Sequence, residues 1–296
     1  MSEWGGELNG ELWEVGHDDY HSDRTRDSSS TLQTARQALQ LYESQYIKGD
    51  IRREGSPEML FGTAFHCALL EPKLFAQRYK YEPSTIEGEP INKRLKMHRQ
   101  YLADFTAGLD GMVALSAGDQ ERIEGMLASV QSCRAAVDLL RSGRPELGVK
   151  FEIDGYPLKA LIDWSCEDRN VVLDLKTTRH TGPRETFQRE IDSREYHCQA
   201  SLYCEAFRRL YGDLPDFYWV FVHTAPPYET HVFRMGQSTR KIGLEITRET
   251  IETLKVAKAL DHFKPAKYGV ATEIELPDWT LRKYGRADEV GGGFSI

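Results

Sequence analysis

Apolar residues recur at helical spacing through the first half of the chain. From Ser28, a residue type that favours the N-terminal cap of a helix, the spacing predicts a first helix of about four turns. It predicts a second helix over residues 61–79, with a break at Pro72, and a third over residues 118–141. The first half is therefore predicted to be mainly helical.

The second half alternates between strand and helix patterns. Asp154-Gly155 is a two-residue signal for a tight hairpin turn, and a polar turn over residues 167–170 separates the next two apolar runs. The predicted elements are strands over 148–153, up to 163 and over 171–176, a helix over 195–212, strands over 216–225 and 228–235, and a helix over 237–262. This order predicts an α/β (α+β) fold with a central mixed β-sheet flanked by helices.

Both ends of the chain lack periodicity. Residues 1–27 are polar, which predicts a mobile tail that docks only around Trp13 or Tyr20-His21. Residues 286–296 contain three consecutive glycines and are predicted to be flexible. The remaining residues, 28–285, are predicted to form one domain with a helical N-terminal part and a core, over 28–145 and 146–285.

Composition narrows the class of protein. No apolar run approaches the roughly 18 to 20 residues of a membrane span, and the N-terminus is acidic without a signal pattern, so we expect a cytoplasmic protein. Five scattered cysteines argue against a disulfide framework. The net charge of −8 disfavours a generally basic, nucleic-acid-binding surface, but it permits a nuclease whose basic residues are local.

One strand carries an acid and a lysine in a chemically informative spacing. Because side chains alternate along a strand, Asp174 and Lys176 project from one face while Leu173 and Leu175 project from the other. If Asp163 leaves the preceding strand on the same side, two carboxylates and an ammonium converge. Carboxylates are hard ligands for Mg²⁺ or Mn²⁺, and the lysine can position an attacking water. This predicts nuclease chemistry; the alternative is a hairpin with ordinary solvated charges.

Three further groups are candidates for function. His66 lies one helical turn from Gly62, although a lone histidine on an apolar helix is more typical of a packed core. Gln199 and Tyr203 share a helical face, which could simply cap a groove. A basic run could bind phosphates or form a solvated helix face, and its residues are Lys93, Arg94, Lys96 and Arg99.

Taken in order, these residues resemble the PD-(D/E)xK nuclease superfamily, which has a restriction-endonuclease-like core. More narrowly they resemble its exonuclease VIII (RecE-type) branch, and the likeness covers nearly the whole chain. The motifs that carry it are a G-T-x-x-H helix ending at His66, a strand ending at Asp163, a D-x-K-T-T strand from Asp174 and a Q-x-x-x-Y helix from Gln199. The branch usually has Arg-Pro before the strand-end acid, where this chain has Leu161-Ile162. This departure puts a substrate or structural contact in doubt.

The resemblance implies a metal site. Asp163, Asp174 and the main-chain carbonyl of Leu175 would hold one Mg²⁺, for which Mn²⁺ would substitute, with His66 on the side of a second ion. The branch often has an extra acid near the first sheet strand. The two candidates for that acid are Glu146 and Glu152.

The resemblance also implies roles around the metal. Lys176 would orient the nucleophilic water, and Gln199 and Tyr203 would contact DNA or position the lysine. Further DNA contacts would come from the basic run and from Thr63, Lys159 and Thr177.

The implied reaction is hydrolysis of one strand of linear double-stranded DNA, from the 5′ end. The resulting 3′ overhang would serve a single-strand annealing protein (RecT-type) in phage-type recombination or repair, in a bacterial or phage-infected cell. The related exonucleases close identical subunits into a ring around DNA. The resemblance therefore implies a homo-oligomer, with the basic run on its inner wall.

Two alternatives remain open. A helicase-linked or CRISPR-associated nuclease of the superfamily would carry an iron–sulfur cluster, but Cys198 and Cys204 lack the C-x-x-C partner that this cluster needs. A non-catalytic DNA-binding module could keep the fold. The presence of Asp163, Asp174 and Lys176 argues against that module.

Overall fold

The computed structural model of the chain describes residues 8–14, 16–51, 55–264 and 269–285. The flexible tail predicted for residues 286–296 lies outside this range, as does the start of the predicted N-terminal tail. No helix within the described ranges is both long and apolar enough to cross a membrane.

Helices dominate the N-terminal half, as the periodicity predicts. The elements are β1 (Glu11–Leu12), α1 (His17–Ser22), α2 (Ser29–Gln37), α3 (Leu39–Tyr42), a π-helical segment (Glu43–Lys48), α4 (Pro57–Leu70), α5 (Pro72–Arg78), β2 (Tyr79–Tyr81), β3 (Thr85–Ile86), β4 (Glu89–Pro90), α6 (Lys96–Ala107), β5 (Val113–Leu115), α7 (Ala117–Ser132) and α8 (Arg134–Leu140).

Sheet strands and their covering helices make up the C-terminal half. The elements are β6 (Arg144–Ile153), β7 (Tyr156–Cys166), β8 (Val171–Thr178), α9 (Arg184–Ser193), α10 (Tyr196–Tyr211), β9 (Asp216–His223), β10 (Thr230–Arg234), α11 (Gln237–Ala259) and α12 (Asp278–Gly285).

The main sheet has the order β1-β6-β7-β8-β9-β10. Neighbouring strands are antiparallel except β8 and β9, which run parallel. The parallel pair follows from the α9–α10 connection, since a helical crossover returns the chain to the end of the sheet where β8 began. The predicted central mixed β-sheet flanked by helices is confirmed.

The sheet separates two apolar layers. On one face, Phe217 and Phe221 of β9 pack in a cluster with residues of α2, α10 and α11. On the other, Leu173 and Leu175 of β8 pack in a cluster with residues of α4, α7 and α8. The alternation of β8 therefore directs Asp174 to the face covered by α10.

Two predicted helices are interrupted. Ser28 caps α2 in a capping box, but Ala38 is extended (φ −163°) and ends that helix after Gln37. Cys133 likewise separates α7 from α8. Helical periodicity persists across both breaks because residues on either side, such as Leu32 and Tyr42, contact the same apolar cluster.

The described part of the N-terminal segment differs from the predicted mobile tail. β1 pairs with β6, with Glu11 opposite Lys150. Further along, Asp27 bridges to Leu158 of β7, and Tyr20 is buried. A two-residue strand is too short to produce an alternating pattern, so periodicity could not reveal it.

Lys159 holds this segment in place. Its side chain is buried at 3% exposure, and Nζ donates hydrogen bonds to the carbonyl oxygens of Tyr20 and Asp23, both at 2.6 Å. Burial lowers the pKa of Lys159. The structure does not favour the DNA contact implied for Lys159, because its ammonium is enclosed by the end of α1.

Replacing Lys159 by methionine should destabilise the chain by roughly 2 to 4 kcal/mol, because two buried carbonyls lose their donor. Thermal unfolding measures the loss, and proteolysis should then cut residues 8–27 more rapidly. Lys73→Met is the control, since Lys73 is an exposed lysine of α5. Equal stability of the two variants would contradict the anchoring role.

Candidate active site

The site forms where β7 and β8 stop pairing. Their ladder covers only Trp164–Cys166 on β7. Beyond this ladder, the Asp163 side chain makes the contact with β8: its Oδ2 accepts a hydrogen bond from the Leu175 main-chain N–H at 2.8 Å. Asp163 is thus fixed beside β8, with its remaining oxygen lone pairs available to a ligand.

Asp174 and Lys176 meet on the face covered by α10, as the strand alternation predicts. Lys176 Nζ donates a hydrogen bond to Asp174 Oδ1 at 2.8 Å. Asp174 Oδ2 lies 2.7 Å from the same nitrogen, yet this buried atom has no partner in hydrogen-bond geometry. The Tyr196 ring centroid lies 4.8 Å from Nζ, so the ammonium is held between a carboxylate and an aromatic face.

His66 reaches the site from α4. Its Nδ1 lies 3.6 Å from Asp163 Oδ2. Burial and the nearby Lys176 charge lower the pKa of His66 to about 4, so the imidazole is neutral at pH 7 and the contact is not an ion pair. Neutral imidazole is the form that binds metals, and the side chain keeps 25% exposure, which separates it from a core histidine.

Burial and mutual repulsion disfavour the charged forms of the acids. Burial raises the pKa of Asp174 to about 6, with a further rise from Asp163. Burial likewise raises the pKa of Asp163. Burial lowers the pKa of Lys176, but Asp174 and Asp163 outweigh this effect and raise it. The lysine therefore stays charged, but its single positive charge does not balance the two buried carboxyl groups of Asp163 and Asp174.

Glu146 is the extra acid that the structure brings to the site. The β6–β7 register places it opposite Asp163, and its φ of 51° interrupts the ladder there. Burial, followed by the charge of Asp163, raises the pKa of Glu146 to about 8. Glu152 lies toward the far end of β6, where its main chain bonds to Asn9.

These groups open into a pocket of about 1040 Å³. His66, Glu146, Asp163 and Lys176 line it, whereas Asp174 lies buried behind its wall. The pocket is also lined by guanidinium groups from several elements, namely Arg36, Arg78, Arg122, Arg179 and Arg194. Acidic residues line the pocket as well, and two of them pair with these arginines, Glu195 with Arg36 and Glu58 with Arg179.

Most of the other predicted site residues lie on this pocket. Gln199 Nε2 donates a hydrogen bond to the Tyr203 hydroxyl at 3.0 Å, and both side chains line the pocket from α10. Thr63 and Thr177 line it from α4 and β8. A Cβ at Gly62 would lie 3.5 Å from Thr177 Oγ1, so α4 passes close to the strand.

The basic run does not line the pocket. Lys93 forms an ion pair with Glu82 at 2.9 Å. Arg99 donates to the carbonyl oxygens of Lys93 and Arg94, which ties the start of α6 to the preceding loop. Arg94 and Lys96 are exposed, so a DNA contact here stays a prediction.

Sequence reasoning missed residues that complete the site. Tyr196 lies three residues before Gln199, and this helical spacing was an available signal for it. Arg122 lies 3.7 Å from the Phe61 ring centroid and donates to the Thr224 carbonyl oxygen, whereas Arg179 pairs with Glu58. No sequence signal connected these arginines with the site, because they come from α7 and from the loop after β8.

The cysteines do not form a cluster. All five are free, and Cys198 and Cys204 are buried in α10. Within the described ranges, no three His, Cys, Asp or Glu side chains are placed to hold a metal together. The donor set therefore does not suit an iron–sulfur cluster, which takes four protein ligands.

The donor set does suit Mg²⁺. This ion is typically held by one or two carboxylates, with water and substrate phosphates supplying the rest, so it needs no preformed cluster of three side chains. Asp163 and Asp174 are hard oxygen donors, and the unbonded Asp174 Oδ2 is a buried atom that a cation would satisfy. Because Lys176 does not balance both buried carboxyl groups, binding of a cation beside them is favourable.

Glu146→Gln should stabilise the metal-free chain at pH 8. The usual pKa of 4.5 is raised to about 8 in the fold, so Glu146 costs stability as the pH rises from 4.5 toward 8. Removing its charge should add on the order of 2 kcal/mol at pH 8 and little at pH 5, after allowance for solvent screening. Thermal unfolding in EDTA measures this, with Glu152→Gln as control. A gain independent of pH would contradict the assignment.

Comparison with known proteins is consistent with this geometry. Residues 28–274 match the profile of a family described as "PDDEXK-like domain of unknown function (DUF3799)". No curated protein matches the chain significantly. Among solved structures, it is similar to a protein from Eubacterium rectale described as "Putative exonuclease", with a TM-score of 0.60, 12% sequence identity, and coverage of 91% of this chain and 98% of that one. The predicted superfamily is confirmed: the chain belongs to the PDDEXK-like family.

Proposed function

We propose that the chain is a divalent-metal-dependent exodeoxyribonuclease acting on linear double-stranded DNA. The observation that carries this proposal is the convergence of Asp163, Asp174 and Lys176 at the wall of one pocket that arginines also line. PDDEXK-like nucleases generally use divalent metal ions, and this donor set suits Mg²⁺ or Mn²⁺.

Each side chain of the site has its own role in the proposed hydrolysis. Asp163 and Asp174 would hold the ion, with the Leu175 carbonyl, Glu146 and His66 as further donors. The ion would supply Lewis acidity toward the phosphate. Lys176 is positioned by Asp174 and Tyr196 to orient a water and to balance phosphate charge.

The depth of the site bears on the form of the substrate. Asp174 is fully buried, and Lys176 lies between β8 and α10. A DNA backbone therefore has to enter the pocket to bring a phosphate to these groups, which an unpaired strand at a duplex end does more readily than continuous duplex. Attack at ends favours exonuclease over endonuclease activity. Polarity from the 5′ end, and a 3′ overhang passed to an annealing protein, belong to the proposal through the motif resemblance.

End-labelled linear duplex provides the test, with closed circular duplex as control, in Mg²⁺ and in EDTA. We expect release of the label from linear DNA only, and only with the metal. Label on each 5′ and 3′ end in turn reports the polarity. Nicking of the circle would replace the exonuclease assignment with an endonuclease one. Binding of DNA without hydrolysis in Mg²⁺ would replace it with a non-catalytic module.

The pocket arginines should contribute more to DNA binding than the basic run. Replacing Arg179 and Arg194 by glutamine should weaken DNA binding, because two phosphate contacts are lost. The slope of the logarithm of the binding constant against the logarithm of the salt concentration should become shallower by about 2. Replacing Lys93 and Arg94 is the matched comparison, since it removes the same charge outside the pocket. Fluorescence anisotropy across a salt series measures both. A larger effect from Lys93 and Arg94 would return the main DNA contact to the basic run.

A further inference from the structure

Glu195 has a left-handed main-chain conformation at the start of the helix that carries part of the candidate active site. Its φ is 56° and its ψ is 30°, and α10 begins with the next residue, Tyr196. A residue with a Cβ disfavours this conformation, which persists only where the surrounding structure enforces it, and such residues cluster at functional sites. Contacts from elsewhere in the fold are therefore needed to hold this turn.

Arg36 of α2 supplies one of these contacts. Its Nε and Nη2 donate hydrogen bonds to Glu195 Oε2 at 3.0 and 2.7 Å, and its Nη1 donates to Thr250 Oγ1 of α11 at 3.3 Å. The Arg36 side chain is only 15% exposed, so solvent screens this ion pair less than it screens one at the surface. All three guanidinium nitrogens have partners within the fold, which suits Arg36 to holding Glu195 more than to binding a phosphate.

Gln33, about one helical turn earlier in α2, supplies a second contact. Its Nε2 donates a hydrogen bond to the main-chain carbonyl oxygen of Arg194 at 3.0 Å. The helix α2 is itself fixed in place, since Leu32 and Ala35 lie in one apolar cluster with residues of α10 and α11. One packed helix therefore holds both residues of the turn that precedes Tyr196.

Tyr196 connects this turn to the active site. It follows Glu195 directly, and its ring centroid lies 4.8 Å from Lys176 Nζ. A lysine side chain is flexible, and the carboxylate that contacts this ammonium is that of Asp174. A cation bound at Asp174 would compete with the lysine for that carboxylate. The aromatic face of Tyr196 would then be the contact that keeps Nζ in place.

We propose that Arg36 and Gln33 are positioning residues for hydrolysis. They fix the left-handed turn at Glu195, and this turn holds the Tyr196 ring against the Lys176 ammonium. The inference rests on the proposed function, in which Lys176 orients the attacking water. Arg36 and Gln33 act through Tyr196 and not on the reacting atoms. The position of Lys176 thus depends on a helix from the other half of the chain.

Single-turnover digestion of linear duplex tests this dependence by a double-mutant cycle. Tyr196→Leu removes the ring and should slow hydrolysis about tenfold, and Arg36→Met should slow it about fivefold. The double variant should be no slower than Tyr196→Leu alone, because Arg36 acts through the ring. Tyr196→Phe keeps an aromatic face and should retain the wild-type rate within about twofold. Mn²⁺ affinity should be the same in all four variants, since neither side chain is a proposed ligand.

Two matched controls separate this role from a general effect of substitution. Arg189→Met is the control for Arg36→Met, since Arg189 is an exposed arginine of α9. Gln37→Ala is the control for Gln33→Ala, since Gln37 is exposed on the same helix, α2. Both controls should keep the wild-type rate. The Arg36→Met variant should fold, because the Glu195 carboxylate that loses its partner is 29% exposed to solvent.

NMR of the chain with ¹³C-labelled lysine gives a readout that does not depend on hydrolysis. An aromatic ring displaces upfield the signals of atoms that lie over its face, so the Lys176 ε-methylene signal should be displaced, and its absence from Lys176→Met assigns it. The displacement should persist in Tyr196→Phe and Arg189→Met, disappear in Tyr196→Leu and decrease in Arg36→Met.

The two measurements distinguish this inference from the proposed function. A displaced lysine signal that responds to Arg36→Met, in a chain that does not hydrolyse DNA, would contradict the proposed function alone. An equal displacement in wild type and Arg36→Met, or losses of rate that multiply in the double variant, would overturn the inference. A lower melting temperature of Arg36→Met with an unchanged lysine signal would assign Arg36 to stability only.

Discussion

Lys176→Ala should abolish DNA hydrolysis while leaving Mn²⁺ affinity equal to or above that of wild type. The ammonium contributes no metal ligand, but it lies within 2.8 Å of both Asp174 oxygens, where it competes with a cation. Losing a group that positions the attacking water should lower the rate by about 10³-fold or more. Single-turnover digestion measures the rate, and calorimetry measures Mn²⁺ binding.

Asp174→Ala should also abolish hydrolysis, but it should weaken Mn²⁺ binding at least tenfold. Each single variant leaves a buried charge unpaired, which costs about 3 to 5 kcal/mol, so folding needs its own control. The double variant Asp174→Asn, Lys176→Met removes both charges and should fold nearly as well as wild type. Equal Mn²⁺ affinity in wild type and Asp174→Ala would end the ligand assignment.

His66→Ala should lower activity about 10²-fold or more and leave the melting temperature nearly unchanged. The side chain lies at the pocket wall beside Asp163, so its removal enlarges a solvent-accessible space and creates no closed cavity. The neighbouring Phe65 supplies the contrast, because it is fully buried and Phe65→Ala should cost roughly 3 to 5 kcal/mol. A large loss of stability with residual activity would return His66 to the core.

Local periodicity predicted the part of the site that lies on single elements. The two-residue spacing of Asp174 and Lys176 fixes a shared face on any strand, and the four-residue spacing of Gln199 and Tyr203 fixes one on any helix. The central sheet was predictable for the same reason, since most of its strands are long enough to show an apolar pattern in the sequence.

Other features depend on contacts between distant parts of the chain. In the sequence alone, Lys159 resembles an ordinary surface cation. It is a buried hydrogen-bond donor only because α1 packs against it. Arg122 and Arg179 lie far apart in sequence and reach one pocket through the packing of α7 against the sheet. The extended Ala38 has no marker in its sequence, because alanine is the best helix former.

The N-terminal segment contributes to the pocket wall. The part of the chain that matches the family therefore does not contain every residue that lines the pocket. The family match begins at residue 28, yet Tyr20 and His21 form part of the pocket wall. A chain trimmed to the matched region would lose that wall and would strip the Lys159 ammonium of both carbonyl acceptors. The uncompensated charge lies on β7, four residues before Asp163, so trimming would disturb the strand that positions this candidate metal ligand.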